Sequence, residues 1–387
     1  MTSRTLEEFA SLKLRSLERR SLRRQLATTD RVHGIVVERD GRRLISFSCN
    51  DYLGLANDPA TIAAATEATE RLGAGAGASR LVTGSHSLYV ELERRLARLK
   101  ASEDAVVFGS GYLANIGIIP LFAGPPDLVL IDELAHSCLL AGADLSGATV
   151  VRFAHNDSLA LANELATRRA AHRHCLLLTE GVFSMDGDLA PLPELAALAE
   201  QYDAWLMTDD AHALGVVGGG RGSSFAHDRP VSVPLQMGTL SKAVGSYGGY
   251  LCASHAVCEL VRNRARSFVY STGLPPGTVA AATAALGIIE QDQARVARPL
   301  ELATEFSTAL GLPPAQSAIV PLITGTNASA LAASRALAAS GFLVTAIRPP
   351  TVPQGTARLR FTFSAAHSAA DLAGLITAVQ ALVLAPR

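Results

Sequence analysis

The sequence predicts an α/β fold with a large domain, built on a mainly parallel central sheet, and a smaller α+β domain at the C-terminal end. Three observations lead to this prediction. Short apolar runs alternate with helix-length segments through the middle of the chain, polar residues recur where each run ends, and the pattern changes near Leu274-Pro-Pro-Gly277. Strands that alternate with crossover helices form parallel sheets. We therefore expect an N-terminal helix and hairpin segment at 1–48, a large domain at 49–275 and a small domain at 276–387.

Length and composition limit the class of protein. A chain of 387 residues is long for one compact domain, and 49% hydrophobic with 18% charged residues indicates a well-buried globular protein. The formal net charge of −1 provides no general basic field for nucleic acid or an anionic membrane, and no apolar run is long enough to span a bilayer. The five cysteines are scattered without metal-ligand spacing. We expect a cytoplasmic protein with reduced thiols and no metal site.

The first 48 residues predict a helix followed by a hairpin. Residues 1–30 have the pattern of one amphipathic, arginine-rich helix, and acidic residues among them argue against an organellar transit peptide. The segments Gly34–Glu38 and Leu44–Ser48 are predicted to pair through a turn at Asp40-Gly41.

The central segment predicts buried strands separated by helices. A glycine-rich loop at Gly73–Arg80 does not have the spacing of a dinucleotide-binding turn, and a strongly periodic helix follows it at Tyr89–Lys100. The predicted strands of the large domain are Ala105–Phe108, Leu128–Ile131, Thr149–Phe153, Cys175–Thr179 and Ala204–Met207. Those of the small domain are Ile319–Ile323, Val344–Arg348 and Arg358–Phe363.

One lysine marks the candidate site. Lys242 follows the apolar run Val231–Met237, so it is expected on a loop at the carboxyl edge of the sheet, where open α/β sheets bind ligands. A lysine in a confined, partly apolar pocket has a lowered pKa and can act as a nucleophile or base. Thr239 and Ser241 offer hydroxyl groups for a phosphate.

A second motif lies 33 residues upstream of the lysine. The strand that ends at Met207 continues into Asp209, Asp210 and His212. An acid and an amine at the ends of neighbouring strands suit pyridoxal phosphate, since the lysine carries the cofactor and the acid keeps its ring nitrogen protonated. Alone, the Asp-Asp-x-His pattern could equally be a metal site or a helix cap. Together with the lysine loop, it favours the cofactor site.

The turn Gly109-Ser-Gly-Tyr112 is a candidate for the phosphate. It follows a short buried strand and precedes an apolar helix, which is the arrangement that presents backbone N–H groups to a phosphate. The alternative is a simple strand–helix connector.

The motifs together resemble the α-oxoamine synthase family, the fold-type I acyltransferases that depend on pyridoxal phosphate. The resemblance covers nearly the whole chain, from Asn50-Asp-Tyr-Leu-Gly54 to Arg360, and includes Phe153-Ala-His-Asn-Asp157 and Thr179-Glu-Gly-Val-Phe-Ser184. The stretch Ile347–Arg360 is most similar to the branch of biotin biosynthesis that condenses L-alanine with a pimeloyl thioester. Tyr89 departs from the family pattern, in which a histidine is common.

The resemblance implies roles for individual residues. Lys242 would carry the cofactor, Asp209 would pair with its ring nitrogen, His136 would stack on the ring and His212 would bond to its phenolic oxygen. The other implied cofactor contacts are Gly111, Tyr112, Ser184 and Thr239, with Ser271 and Thr272 reaching the site of the other subunit of a homodimer.

The same resemblance implies the substrate contacts. Arg360 would grip the carboxylate of the amino acid, because guanidinium and carboxylate can pair through two hydrogen bonds. Asn50 would also contact substrate, and Arg23 and Thr351 would contact the acyl group; Arg24, one position along, is the alternative to Arg23. The acyl carrier is coenzyme A or an acyl-carrier protein.

Three alternatives remain open at this stage. The chain could be another α-oxoamine synthase that joins glycine to acetyl- or succinyl-CoA, or an aminotransferase on the same fold. It could also be a non-catalytic protein that keeps only the fold, since fold alone does not determine function.

Overall fold

The structure is a computed structural model that describes residues 5–384. Its strands are β1 (Asp30–His33), β2 (Val36–Arg39), β3 (Arg42–Ser46), β4 (Asp104–Phe108), β5 (Leu128–Asp132), β6 (Thr149–Phe153), β7 (Cys175–Glu180), β8 (Trp205–Asp209), β9 (Leu235–Thr239), β10 (Gly249–Ala253), β11 (Ile319–Gly325), β12 (Phe342–Leu343), β13 (Thr345–Ile347) and β14 (Ala357–Thr362).

The α-helices follow the strands in alternation through the large domain. They are α1 (Leu6–Arg19), α2 (Pro59–Leu72), α3 (Leu88–Leu99), α4 (Gly111–Phe122), α5 (Ser137–Ser146), α6 (Ser158–Arg168), α7 (Leu192–Gln201), α8 (His255–Arg264), α9 (Arg266–Val269), α10 (Pro276–Gln291), α11 (Gln293–Ala309), α12 (Asn327–Ala339) and α13 (Ala369–Leu384).

The large sheet has seven strands in the order β4-β10-β9-β8-β7-β5-β6. Strands β9, β8, β7, β5 and β6 pair in parallel, and β10 is antiparallel to both of its neighbours. Successive residues of one strand face opposite sides of the sheet: Val129 and Ile131 join one apolar cluster, whereas Leu128 and Leu130 join another. Burial on both faces is typical of a parallel sheet covered by helices, and the predicted fold class is confirmed.

This topology brings polar residues from several strands to one edge. Asp132, Glu180, Asp209 and Thr239 are the last residues of β5, β7, β8 and β9, and these strands are parallel neighbours. Carboxyl ends of parallel strands meet at the same edge of the sheet, where ligands bind in folds of this class.

The smaller C-terminal domain is built on the antiparallel sheet β11-β14-β13. Phe306, Phe361 and Phe363 lie in its apolar core, and Phe47 from the N-terminal segment packs among them. The predicted hairpin is present as β2 and β3, and the turn residues Asp40 and Gly41 have φ of 51° and 69°, as a two-residue hairpin turn requires.

Two sequence-based boundaries are wrong. The N-terminal helix ends at Arg19 rather than near residue 30, because Ser21 has a left-handed φ of 54° and β1 begins at Asp30. The strand before Lys242 begins at Leu235 rather than Val231, since Pro234 has no N–H to donate to a neighbouring strand. Among residues 5–384, no helix has the length and apolar character needed to cross a membrane.

Candidate active site

A cavity of about 160 Å³ lies at the carboxyl edge of the large sheet. Its wall contains Gly111, Tyr112, His136, Asp209, His212, Thr239 and Lys242, all of which the sequence had nominated. They come from β8, β9, the start of α4 and the loops that follow β5, β8 and β9. The fold thus gathers residues up to 131 positions apart around one space.

Lys242 lies on the loop after β9, and its Nζ atom is 2.9 Å from Nε2 of His212. Burial lowers the pKa of Lys242, and the negative charges of Asp209 and Glu180 only partly oppose this effect. The uncharged amine is the nucleophilic form, so the environment favours the reactive state.

A chain of hydrogen bonds continues behind the lysine. Nδ1 of His212 lies 2.6 Å from the hydroxyl of Tyr52, which also donates to Asn50 Oδ1 at 3.2 Å. Burial lowers the pKa of His212 well below its usual value, and the positive charges of Lys242 and Arg360 add to the effect. A neutral His212 that donates from Nδ1 to Tyr52 leaves its Nε2 lone pair facing Lys242.

Arg360 closes this chain from the C-terminal domain. It donates to the backbone oxygen of Ser184 at 2.5 Å, to Asn50 Oδ1 at 3.1 Å and to the Tyr52 hydroxyl at 3.4 Å. Asn50 and Arg360 do not line the 160 Å³ cavity themselves, but both are joined to Lys242 through Tyr52 and His212.

Asp209 ends β8 and is held by two donors. Asn115 Nδ2 on α4 donates to one carboxylate oxygen at 2.8 Å, and the backbone N–H of Ala211 donates to the other at 2.9 Å. The carboxylate lines the same cavity as the Lys242 amine. This pair suits a pyridine ring that carries an aldehyde, because the acid can pair with the ring nitrogen and the amine can react with the aldehyde.

His136 caps the N-terminus of α5 and is oriented by its neighbours. Its Nδ1 accepts the backbone N–H of Cys138 at 3.3 Å, and its own backbone N–H donates to Glu180 at 2.8 Å. Burial lowers the pKa of His136, with the Lys242 charge acting in the same direction and Asp209 against it. A neutral ring that accepts at Nδ1 carries its proton on Nε2.

Glu180 supports this arrangement from the end of β7. Its second oxygen accepts the backbone N–H of Ser184 at 3.0 Å. Burial raises the pKa of Glu180 to about 8, and the nearby charge of Asp209 adds to the increase. Glu180 therefore ties the loop that carries Ser184 to the loop that carries His136.

The start of α4 provides a place for a phosphate. Ser110 caps the helix by accepting the N–H of Leu113 at 3.1 Å. Gly111 and Tyr112, the first residues of α4, line the cavity, and the first N–H groups of a helix have no acceptor within it. A side chain at Gly111 would meet Met237 at 3.2 Å and Thr239 at 3.3 Å, so this position must stay small. The amine, the carboxylate and this glycine-lined helix start fit pyridoxal phosphate.

A second cavity, of about 590 Å³, shares His136 with the first. Ser184, Thr351 and Arg24 line it, and Arg24 donates to the Thr351 hydroxyl at 2.9 Å. Arg23, the first choice from the sequence, instead pairs with Glu18 at 2.6 Å and does not line this cavity. The arginine beside Thr351 is therefore Arg24, because the irregular chain after α1 directs the two neighbours differently.

Ser271 and Thr272 are not beside Lys242 in the same chain. They line a separate small cleft with Arg80 and Tyr89. Tyr89 is buried there: its hydroxyl accepts the backbone N–H of Leu274 at 2.6 Å, and its ring faces the Arg80 guanidinium at 3.8 Å.

Two further residues from the motifs have structural partners. Asp210 forms a fully buried ion pair with Lys100 at 2.5 Å and also accepts from Ser223. His155 lies between Asp132 and Asp188, with ring nitrogens 3.0 Å and 2.9 Å from the two carboxylates. Across the described 5–384 range, no cluster of His, Cys, Asp or Glu is arranged to hold a metal ion.

Sequence reasoning missed the supporting residues Tyr52, Asn115 and Cys138. Tyr52 is part of the resembling stretch Asn50–Gly54 but has no role assigned there, and Asn115 lies in an apolar helix segment. Their roles arise from pairing across the fold, with His212 and Asp209 respectively. A polar side chain inside an otherwise apolar helix, as at Asn115, was the one available signal.

Known proteins resemble this chain over nearly its full length. Residues 42–379 match the family model described as aminotransferase class I and II. A putative 8-amino-7-oxononanoate synthase of Acidiphilium cryptum is 62% identical, over 98% of this chain and 99% of that protein. The 8-amino-7-oxononanoate synthase of Beijerinckia indica is 59% identical, over 98% of each. Among solved structures, the serine palmitoyltransferase of S. paucimobilis, bound to pyridoxal phosphate joined to myriocin, has a TM-score of 0.92 at 30% identity over 98% of each chain.

Proposed function

The chain belongs to the 8-amino-7-oxononanoate synthases of the aminotransferase class I and II family, and we propose that it condenses L-alanine with a pimeloyl thioester. The products are 8-amino-7-oxononanoate, carbon dioxide and the free thiol, in the biotin pathway predicted from the sequence. The observation that supports this most strongly is the cavity of Lys242 and Asp209, which meets a larger, arginine-containing cavity at His136.

The enzyme uses pyridoxal phosphate. Lys242 would hold the cofactor covalently, Asp209 would pair with its ring nitrogen, and the start of α4 with Thr239 would receive its phosphate. When bound, the cofactor supplies a protonated ring that accepts the electron pair left at a substrate carbon after loss of a proton or of carbon dioxide. The two hydrogen bonds to Asp209 keep its carboxylate in position for that pairing.

Lys242 moves the proton at Cα of alanine. Its amine is kept near the cavity by the contact with His212, and its lowered pKa makes the proton-accepting form more available near neutral pH. Because His212 is neutral, its Nε2 accepts a hydrogen bond from the lysine nitrogen without placing a positive charge beside it.

Arg360 would bind the alanine carboxylate. Its guanidinium is almost fully buried and is already oriented by Ser184 and Asn50. A rigid guanidinium loses little entropy when it pairs with a carboxylate. That anchor would hold the bond to be broken in one orientation until carbon dioxide leaves.

His136 would act on the thioester. It is the residue shared by the two cavities, and the proton of its neutral ring lies on Nε2. An N–H donor directed at the thioester oxygen stabilises the negative charge that develops when the carbonyl is attacked. Arg24 and Thr351, in the larger cavity, would contact the acyl chain.

The active unit is proposed to be a homodimer. Ser271 and Thr272 lie away from the Lys242 cavity of their own chain, and Thr272 is exposed. Both would reach the cofactor phosphate of a partner subunit. Shared sites would make activity depend on dimerisation.

A product assay with four substrate pairs tests the proposal. Purified protein with added cofactor is incubated with alanine or glycine, each with pimeloyl-CoA or acetyl-CoA, and products are identified by mass spectrometry. We expect 8-amino-7-oxononanoate from alanine and pimeloyl-CoA at a much higher rate than any other product. Preferred use of glycine with acetyl-CoA would assign a different α-oxoamine synthase, and formation of pyruvate from alanine without a thioester would assign an aminotransferase.

A further inference from the structure

We propose that Arg152 binds an anionic group of the acyl-thioester substrate. This inference rests on the proposed function and adds a binding residue to the larger cavity. Arg152 lines the 590 Å³ cavity together with Arg24, His136 and Ser184. The anion is either the distal carboxylate of the pimeloyl chain or a phosphate of the thioester carrier, and both are oxygen anions that a guanidinium binds through paired hydrogen bonds.

The sheet positions Arg152 toward this cavity. It is the fourth residue of β6, the edge strand, and is paired with Ile131 on β5. Val151 and Phe153 pack into the cluster on one face of the sheet, whereas Val150 packs into the cluster on the other. Alternation along the strand therefore places Arg152 on the face of Val150. That is the face covered by α5, whose Leu140 also lines the cavity.

Arg152 differs from the other arginines near the two cavities in having no partner. Arg24 donates to Thr351, Arg358 pairs with Asp186, and Arg360 donates to Ser184 and Asn50. For the side chain of Arg152, the structure of residues 5–384 contains neither a hydrogen bond nor an ion pair. Arg152 is an exposed residue that lines the cavity, so an anion can bind it at a small cost in desolvation.

The charges on the cavity wall favour an anion. Two carboxylates, Glu133 and Asp186, line the cavity with the two arginines. Asp186 is neutralised by its pair with Arg358, and Glu133 accepts the backbone N–H of His155 at 3.2 Å. The cavity wall therefore has one net positive charge, because Arg24 and Arg152 are opposed only by Glu133.

The rest of the wall suits an acyl chain. Leu134, Leu140, Met185 and Val352 provide apolar surface in the cavity that also contains His136 and the two arginines. A thioester whose carbonyl lies near His136 would place its methylene groups along this surface and an anion near a guanidinium. Burial of methylene groups supplies affinity, while the arginine would discriminate charged from uncharged ends.

The test is steady-state kinetics of the dimeric holoenzyme and its Arg152→Gln variant with alanine and three thioesters. These are pimeloyl-CoA, heptanoyl-CoA, which lacks the distal carboxylate, and the pimeloyl thioester of N-acetylcysteamine, which lacks the carrier phosphates. For a thioester that is not turned over, the affinity is measured as its inhibition constant in competition with pimeloyl-CoA. For pimeloyl-CoA we expect KM to rise about 10- to 100-fold at nearly unchanged kcat, since the contact forms equally in the ground and transition states.

The three thioesters identify the anion. If Arg152 binds the distal carboxylate, the variant loses affinity for both pimeloyl thioesters and keeps that for heptanoyl-CoA. If it binds a carrier phosphate, affinity falls for both CoA thioesters and is kept for the N-acetylcysteamine thioester. Two results overturn the proposal. One is an equal loss of affinity for all three thioesters. The other is a change in KM for pimeloyl-CoA below about 2-fold, which corresponds to about 0.4 kcal/mol.

Control variants separate charge from structure. Arg152→Lys should recover part of the lost affinity, and Glu133→Gln should lower KM because it removes an opposing negative charge. Arg168→Gln, which removes an exposed arginine on α6 paired with Glu164, should leave all constants unchanged. If the wild-type enzyme fails to condense alanine with pimeloyl-CoA, the proposed function itself fails, and this result is distinct from any result with the variant.

Discussion

The Nζ atom of Lys242 lies 2.9 Å from the Nε2 atom of His212. This contact holds the amine on the wall of the cavity before any substrate is present. Since the pKa values of both residues are lowered, mainly by burial, the pair does not repel as two cations would. A lysine of this kind is poised to react with an aldehyde, and the following predictions test that arrangement.

Attachment of pyridoxal phosphate to the apo-protein should be half-maximal at a pH clearly below 10.4, the ordinary pKa of lysine. The neutral amine attacks the aldehyde, and its fraction grows as the pH rises through the lowered pKa of Lys242. Stopped-flow absorbance from pH 6 to pH 10.5 measures the profile. Asp209→Asn should shift the midpoint to still lower pH, because the Asp209 charge raises that pKa. A midpoint at or above 10.4 in the wild type contradicts the prediction.

Tyr52→Phe should reduce kcat/KM on the order of 10-fold, because it leaves the buried Nδ1–H of His212 without an acceptor and frees the ring to turn. The matched control is Tyr250→Phe. Tyr250 is equally buried, but its hydroxyl has no hydrogen-bond partner among the described residues. Steady-state assays of both variants make the comparison, and equal losses would mean that the hydroxyl of Tyr52 has no special role.

Gly111→Ala should weaken binding of pyridoxal phosphate by about 10-fold or more, since the new methyl group would meet Met237 and Thr239 where the phosphate is expected. Gly124→Ala, just after the other end of α4, has its nearest contact at 3.8 Å and should bind normally. Titration of the apo-proteins with cofactor gives both dissociation constants. Unchanged affinity in Gly111→Ala would place the phosphate elsewhere.

His155→Gln should lower the free energy of unfolding by about 1.5–3 kcal/mol near pH 6. Burial alone would lower the pKa of His155, but hydrogen bonds to Asp132 and Asp188 outweigh it and raise the pKa to about 10. A raised pKa stabilises the fold fully below about 6.5, the ordinary value, and this contribution is lost as the pH rises toward 10.

Urea unfolding at several pH values measures the difference in free energy of unfolding between the wild type and His155→Gln. It should shrink steadily between about pH 6.5 and pH 10. His172→Gln is the control, because its ring bonds only to the backbone oxygen of Arg168 among the contacts of residues 5–384. A difference that does not change with pH would show that His155 is neutral in the folded protein.

The strand-end residues could be predicted from the sequence because their position follows from a simple rule. Asp209 and Lys242 each follow an apolar run, and parallel strands bring such ends together. The partners that orient them could not be predicted this way. Asn115 reaches Asp209 from a helix 94 residues earlier, and no local pattern encodes that contact.

The sequence could not distinguish neighbouring residues where the chain is irregular. Arg23 and Arg24 follow the end of α1, where helical periodicity no longer indicates which side chain points inward, and only the contact with Thr351 distinguishes them. Lys100 and Asp210 carried no signal of their buried pairing, because the two residues lie on separate elements and meet only in the folded core.

The most direct test of the account is to reduce the holoenzyme with borohydride and identify the modified peptide by mass spectrometry. The sequence contains three lysines, Lys13, Lys100 and Lys242, so the assignment is unambiguous. We predict that the reduced cofactor is attached to Lys242 alone, and that Lys242→Ala neither retains the label nor forms product from alanine and pimeloyl-CoA. A label on Lys13 or Lys100, or no label on wild-type protein saturated with pyridoxal phosphate, would contradict the account.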